Sequence, residues 1–190
     1  MSRAAFLDRD GVINQKAPRD RYITRWEEMQ LLPGVVESIA LLNRAGFRVI
    51  VVTNQRCVAK GLITSVELDA IHERMRDGLA RAGATLDGVY YCPHELQPPC
   101  TCRKPRPGML LEAARAHDID LSASWIIGDS DNDVAAGRSA GCKTARLLKS
   151  SETGNDKADV VARSLFEATR KILQWEEAIA DRRTMDTVQA

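Results

Sequence analysis

Short apolar runs separated by longer amphipathic stretches set the rhythm of this chain. The runs fall at residues 4–7, 48–52, 88–91, 124–127 and 143–147, with a weaker sixth at 158–162. Each is too short for a helix and rich in β-branched or aromatic residues, which predicts strands buried on both faces. Between them, apolar positions recur at helical spacing. Val35, Ile39 and Leu42 mark a helix over 35–45 that stops at Gly46, where a left-handed cap fits. Thr64 followed by Glu67 reads as a capping box opening a helix over 64–82. Further helices are predicted over 109–117 behind Pro107 and Gly108, over 131–140 before Gly141, and over 165–180. Strands alternating with helices predict an α/β fold: a doubly wound parallel sheet covered on both faces. No repeat, low-complexity tract or linker interrupts the pattern. A single domain over residues 1–182 with a flexible tail at 183–190 is expected.

Composition then narrows the classes. The 190 residues suffice for one substantial core, and 44% hydrophobic with 28% charged residues is usual for a soluble globule. Lys and Arg number 27 against 26 Asp and Glu, so a nucleic-acid partner bound through a broad basic field is not expected. No run of about 18 apolar residues exists, which excludes a spanning helix. The chain turns acidic at Asp8, before a signal-peptide core could form, so a cytoplasmic protein without a membrane partner is expected, as monomer or weak oligomer. Five cysteines, an odd count in such a compartment, disfavour a disulfide framework.

In open α/β sheets, ligands gather at the carboxyl ends of the strands. The first run ends in Asp8-Arg9-Asp10-Gly11, the second in Thr53-Asn54-Gln55, the fourth in Gly128-Asp129-Ser130-Asp131-Asn132-Asp133, and Lys104 follows the third. Carboxylates crowded on one rim repel one another unless a cation neutralises them. Hard oxygen ligands favour Mg²⁺, which keeps waters and joins substrate phosphate. Thr53 and Lys104 suit the neutralisation of phosphoryl oxygens. The residues therefore point to phosphoryl transfer through a carboxylate: one of Asp8 and Asp10 attacks phosphorus while the other reaches the leaving oxygen. Taken alone, the two aspartates also fit an ordinary capped turn.

The segments Phe6-Leu7-Asp8-Arg9-Asp10-Gly11-Val12-Ile13-Asn14, Val51-Val52-Thr53-Asn54-Gln55, Cys102-Arg103-Lys104-Pro105-Arg106-Pro107-Gly108-Met109 and Ile127-Gly128-Asp129-Ser130-Asp131-Asn132-Asp133 resemble the motifs of the haloacid dehalogenase (HAD) phosphatase superfamily. More narrowly they are similar to its D-glycero-D-manno-heptose 1,7-bisphosphate 7-phosphatases, close relatives of histidinol-phosphate phosphatases. The resemblance implies a HAD-like Rossmannoid fold and a small sugar-phosphate substrate, with histidinol phosphate or another small sugar phosphate as the alternative. It implies Asp8 as nucleophile, forming an aspartyl-phosphate, and Asp10 as acid and then base. Mg²⁺ would be held by Asp8, the Asp10 carbonyl and Asp129. Arg103 would grip the remainder of the substrate, with Asn54, Gln55 and Arg56 among the substrate contacts. Asp133 is expected to order its loop. Arg56 and Cys57 depart from the serine and glycine usual after this strand, and Arg56 is expected as an extra cation beside the phosphate. A receiver-type phospho-acceptor domain is the alternative from a different class, though it has no need of Asp10.

Cys92, His94, Cys100 and Cys102 supply three thiolates and an imidazole, a closed set suited to structural Zn²⁺ in a loop over 92–102. Four incidental residues with reduced thiols are the alternative; the resemblance implies the zinc site. The spacing between Asp8, Thr53 and Lys104 leaves no room for a separate cap domain. His72 is expected on a solvated helix face and Cys57 as an inert thiol. Cys142, Trp26, Trp125 and Trp175 are expected as packing residues, and Tyr22 could reach a sugar.

Overall fold

The computed structural model describes residues 1–18, 20–149 and 157–188, with side chains as far as residue 181. In chain order the elements are β1 (Arg3–Leu7), α1 (Val35–Arg44), β2 (Phe47–Asn54), α2 (Ser65–Arg81), β3 (Gly88–Cys92), α3 (Gly108–His117), β4 (Trp125–Gly128), α4 (Asp131–Ala140), β5 (Lys143–Leu147), β6 (Val160–Ala162) and α5 (Leu165–Val188). Among the described residues the strands form one six-stranded sheet in the order β3-β2-β1-β4-β5-β6, every pair parallel. The chain runs outward from β1 to β3, then returns to the other side of β1 with β4. That reversal opens a crevice above the carboxyl ends of β1 and β4.

Alternation along the central strands feeds two separate cores. Ala5, Leu7, Val49, Val51, Trp125 and Ile127 face α1, α2 and α5. Ala4, Phe6, Ile50, Val52 and Ile126 face α3 and α4. This double burial explains why the runs are continuously apolar, each fully buried large side chain contributing about 1.5–3 kcal/mol. The Thr64–Glu67 capping box closes reciprocally: Glu67 N–H donates to Thr64 Oγ1 at 3.2 Å and Thr64 N–H to Glu67 Oε2 at 2.8 Å. No separate cap domain is present among the described residues, and no helix there is long and apolar enough to cross a membrane.

Two expectations change. The last helix continues to Val188, so the anticipated tail is helical up to that residue, and residues 189–190 lie outside the described ones. No glycine or proline interrupts 181–188, so nothing local stops the helix. Glu176 pins its body to the amino end of the sheet, accepting from Arg3 Nη1 at 3.1 Å, Trp125 Nε1 at 2.9 Å and Lys143 Nζ at 2.9 Å. His72 is buried rather than solvated. It shares the inward face of α2 with Leu68, Met75 and Leu79, at spacings of three and four.

Candidate active site

Asp8 leaves β1 with its N–H donating to the Ile127 carbonyl at 3.0 Å, so the sheet itself fixes where the carboxylate starts. Its Oδ1 accepts from the Arg9 N–H at 2.7 Å and lies 3.0 Å from Lys104 Nζ. Among the described residues no hydrogen bond reaches Oδ2, which leaves that oxygen for chemistry. Burial pushes the Asp8 pKa up to about 6, with Lys104 opposing and Asp133 and Asp10 adding to the rise.

Lys104 is buried; its ammonium donates to the Val52 carbonyl at 2.7 Å and forms ion pairs with Asp8 at 3.0 Å and Asp133 Oδ1 at 2.6 Å. Burial works against its charge, yet Asp133 and Asp8 outweigh that and raise its pKa above the ordinary lysine value. The other oxygen of Asp133 accepts from the N–H and hydroxyl of Ser130, closing the capping box of α4. Asp133 thus orders the loop after β4, as its position suggested. Gly128 makes this possible, because a Cβ there would stand 2.1 Å from the Cβ of Asp133.

Asp10 is held by five contacts. Arg9 donates from Nε at 3.3 Å to Oδ1 and from Nη2 at 3.1 and 3.0 Å to Oδ1 and Oδ2. Asn14 Nδ2 donates at 2.9 Å to Oδ1 and Gln55 Nε2 at 2.9 Å to Oδ2. Burial opposes its charge, but Arg9 and the hydrogen bonds win and hold its carboxyl below the usual range. Gly11 turns the chain away at φ 93°, and a Cβ there would lie 2.4 Å from Asp129 Oδ2.

Asp129, at the end of β4, completes the acid cluster: ligand oxygens of Asp8, Asp129 and Asp133 all lie within 4.8 Å of one another. Lys16 Nζ sits 2.7 and 2.6 Å from the two Asp129 oxygens. Repulsion in this cluster is therefore offset by two ammonium groups, and a divalent cation suits the same demand. Lys16 and Arg9 were not singled out from the sequence. A cation flanked by two aspartates in an apolar strand end was the available signal for Arg9.

Thr53 is buried and accepts from Gln55 Nε2 at 2.9 Å, leaving its own hydroxyl proton as a donor. Gln55 and Asn54, expected as substrate contacts, are engaged within the protein. Gln55 is buried with its amide on Asp10 and Thr53, and its Oε1 lies 3.5 Å from Cys57 Sγ. Asn54 spends both ends of its amide on the Lys104 main chain, at 3.1 Å to the carbonyl and 3.1 Å from the N–H. Buried polar groups where strands end must find partners, and these two find them in the loop they hold. Arg56 turns to Glu95 in an ion pair, so its charge serves the cysteine loop rather than the acid cluster. Cys57 is fully buried, and burial pushes its thiol pKa up, as suits an inert thiol.

Arg103 lines a groove of about 510 Å³ with Asn54, Gln97, Lys104, Arg106 and Asn132, and its Nη1 donates to the His94 carbonyl at 3.3 Å. A second groove of about 390 Å³ carries Lys16, Arg21 and Tyr22. Lys60 lies 5.4 Å over the Tyr22 ring.

The cysteine loop draws its four candidates together. Sγ of Cys92 and Cys100 are 3.5 Å apart, Cys100 and Cys102 3.5 Å, and His94 Nδ1 lies 3.6 Å from Cys92 and 3.2 Å from Cys102. Tetrahedral ligands at about 2.0–2.3 Å from one ion would sit roughly 3.3–3.8 Å apart. The donor set fits a metal ion.

A parallel sheet with an Asp-x-Asp turn after its first strand, facing a lysine and a second acidic turn, defines a hydrolase of the HAD type. A family model described as HAD-hydrolase-like matches residues 101–168. A crystal structure of D,D-heptose 1,7-bisphosphate phosphatase from B. bronchiseptica, complexed with magnesium and phosphate, is similar with a TM-score of 0.80 and 35% identity, covering 90% of this chain and 98% of that one. A curated Bordetella bronchiseptica D-glycero-beta-D-manno-heptose-1,7-bisphosphate 7-phosphatase is 39% identical over 164 residues, 86% of this chain and 88% of its own. A D-glycero-D-manno-heptose-1,7-bisphosphate 7-phosphatase of Thermosynechococcus vestitus is 42% identical over 150 residues, 73% of this chain and 75% of its own. The chain belongs to the D-glycero-D-manno-heptose-1,7-bisphosphate 7-phosphatase family of the HAD-like hydrolases.

Proposed function

We propose that this chain is a Mg²⁺-dependent phosphatase that removes the 7-phosphate of D-glycero-β-D-manno-heptose 1,7-bisphosphate through an aspartyl-phosphate on Asp8. The observation that carries it is the Asp8 carboxylate, with Oδ1 held by the Arg9 N–H and Lys104 and the group clustered with Asp129 and Asp133. Mg²⁺ held by the Asp8 and Asp129 carboxylates and the Asp10 carbonyl would offset the repulsion between Asp8 and phosphate.

Asp8 Oδ2 attacks phosphorus as the bond to the sugar oxygen breaks, and Asp10 gives that oxygen its proton. Asp10 is held below the usual carboxylate range in the free site. A dianionic phosphate beside it raises its proton affinity and readies it as the acid. The Asp10 carboxylate then takes a proton from water, whose oxygen attacks phosphorus and frees Asp8 and phosphate. Thr53 donates its hydroxyl proton to the phosphoryl oxygens, and Lys104 keeps Asp8 aligned and ionised. Arg103, at its groove, takes the far phosphate by a guanidinium fork.

Cys92, His94, Cys100 and Cys102 would hold Zn²⁺ in a structural role, since four protein ligands would leave no open position. The catalytic unit is a single domain over residues 1–182, working in the cytoplasm as monomer or weak oligomer, without nucleic acid.

Free-phosphate release across a panel of phosphate esters tests the reading. Heptose 1,7-bisphosphate is the expected best substrate, and Asp10→Asn is expected to abolish its turnover. A clear preference for histidinol phosphate would overturn the substrate assignment.

A further inference from the structure

Arg9 stands between the two aspartates, and only 1% of it is exposed. A guanidinium carries five N–H donors and no acceptor, so burying it demands acceptors on every side. The Asp10 carboxylate meets Nε and Nη2 on one edge. On the far side, Nη1 lies 3.0 Å from Nε2 of His72. Because Arg9 can only donate, Nε2 is the accepting nitrogen, and the neutral ring carries its proton on Nδ1. Burial first, then Arg9, push the His72 pKa down to about 3 against an opposing pull from Asp10. Tyr91 of β3 packs on the ring at 5.5 Å between centroids, and Leu68 and Met75 share the buried face of α2 with it. Nδ1 is buried without a hydrogen-bond partner among the described residues, so the contact with Arg9 is the ring's one hydrogen bond there.

We infer that His72 is a positioning residue for the reaction: its bare Nε2 fixes Arg9, and Arg9 in turn aims the Asp10 carboxyl at the leaving oxygen. Without the acceptor, Nη1 keeps a buried donor with no partner, and the guanidinium must turn to find one. Turning it breaks the paired contact with Asp10. The inference rests on the phosphatase reading above, and its consequence is specific to leaving groups. An alkyl oxygen needs the proton that Asp10 delivers, whereas p-nitrophenolate departs without one.

The test compares His72→Leu with His72→Gln, whose amide oxygen can accept from Arg9. The readout is kcat/KM on a primary alkyl sugar phosphate and on p-nitrophenyl phosphate. His72→Leu is expected to lower the alkyl value about thirtyfold and the p-nitrophenyl value less than threefold, with His72→Gln restoring the former to within about threefold. Equal losses on both substrates, no loss, or failure of Gln to rescue would each overturn the inference. ¹⁵N NMR of the resting protein reads the tautomer independently of turnover: a bare Nε2 is expected, and a protonated Nε2 overturns the inference. Should no phosphate ester be hydrolysed, the phosphatase reading fails while the spectrum still judges the Arg9–His72 contact.

Discussion

Lys104 Nζ lies 3.0 Å from the Asp8 carboxylate, pairs with Asp133 as well, and donates to the Val52 carbonyl. One side chain therefore binds the ends of β1 and β2 and the turn after β4 into a single electrostatic unit. Replacing it by methionine strands two buried carboxylates. Lys104→Met is expected to cost about 3–5 kcal/mol in urea unfolding without Mg²⁺ and to lower turnover by at least about a hundredfold.

Asp8 gives a pH signature in Mg²⁺-free protein. Its pKa is raised from 3.8 to about 6, so its stability contribution is complete below pH 3.8 and is lost as pH rises through 6. Asn mimics the protonated acid at every pH. Asp8→Asn is expected to match wild type near pH 4 and to exceed it by on the order of 2 kcal/mol above pH 7. Denaturant titrations between pH 4 and 8 measure the gap, and a gap that does not vary with pH would refute it.

Lys16 holds both oxygens of Asp129 and is 43% exposed on its side chain. An ammonium there competes with a divalent cation for one carboxylate. Lys16→Ala is expected to lower the half-saturating Mg²⁺ concentration about three- to tenfold, a modest change because the pair is partly solvated. Mg²⁺-dependent shifts in Tm read this without any substrate.

The cysteine loop predicts a local loss. Cys100→Ser is expected to reduce bound zinc to below about a tenth of an equivalent and to speed amide exchange over residues 92–106. Exchange in β1 and β4 stays slow, because those strands rest on the two cores. Turnover falls with the loop, since Lys104 is tied to Asn54 at the loop's end.

The strands and helices were legible because burial on both faces writes an apolar run, and burial on one face writes a stripe. Asp8, Asp10, Asp129 and Lys104 were legible for a different reason: each follows a strand, and strand ends converge by topology. The partners of the other polar residues were not legible, for one reason. Asn54, Gln55 and Arg56 sit where ligand contacts were expected, but their partners are Lys104, Asp10 and Glu95. Such partners are distant in sequence, so position alone cannot say whether an amide faces substrate or closes a loop. His72 reads in the sequence as a polar residue on a wet helix, although 68, 72, 75 and 79 form one stripe. Its burial is compensated by Arg9, which only the folded chain brings near.

Cys92 ends β3, at the edge of the sheet, while the acids hang from β1 and β4 at its centre. The fold thus sets the acid cluster at the middle of the sheet and the cysteine loop at its margin. A loop grafted between Cys92 and Lys104 from another member of the family could exchange which molecules are welcomed while inheriting the same bond-breaking apparatus. The graft must preserve one splice: the paired hydrogen bonds between Asn54 and the Lys104 main chain. With that splice kept, the border can be edited while the interior stays as it is.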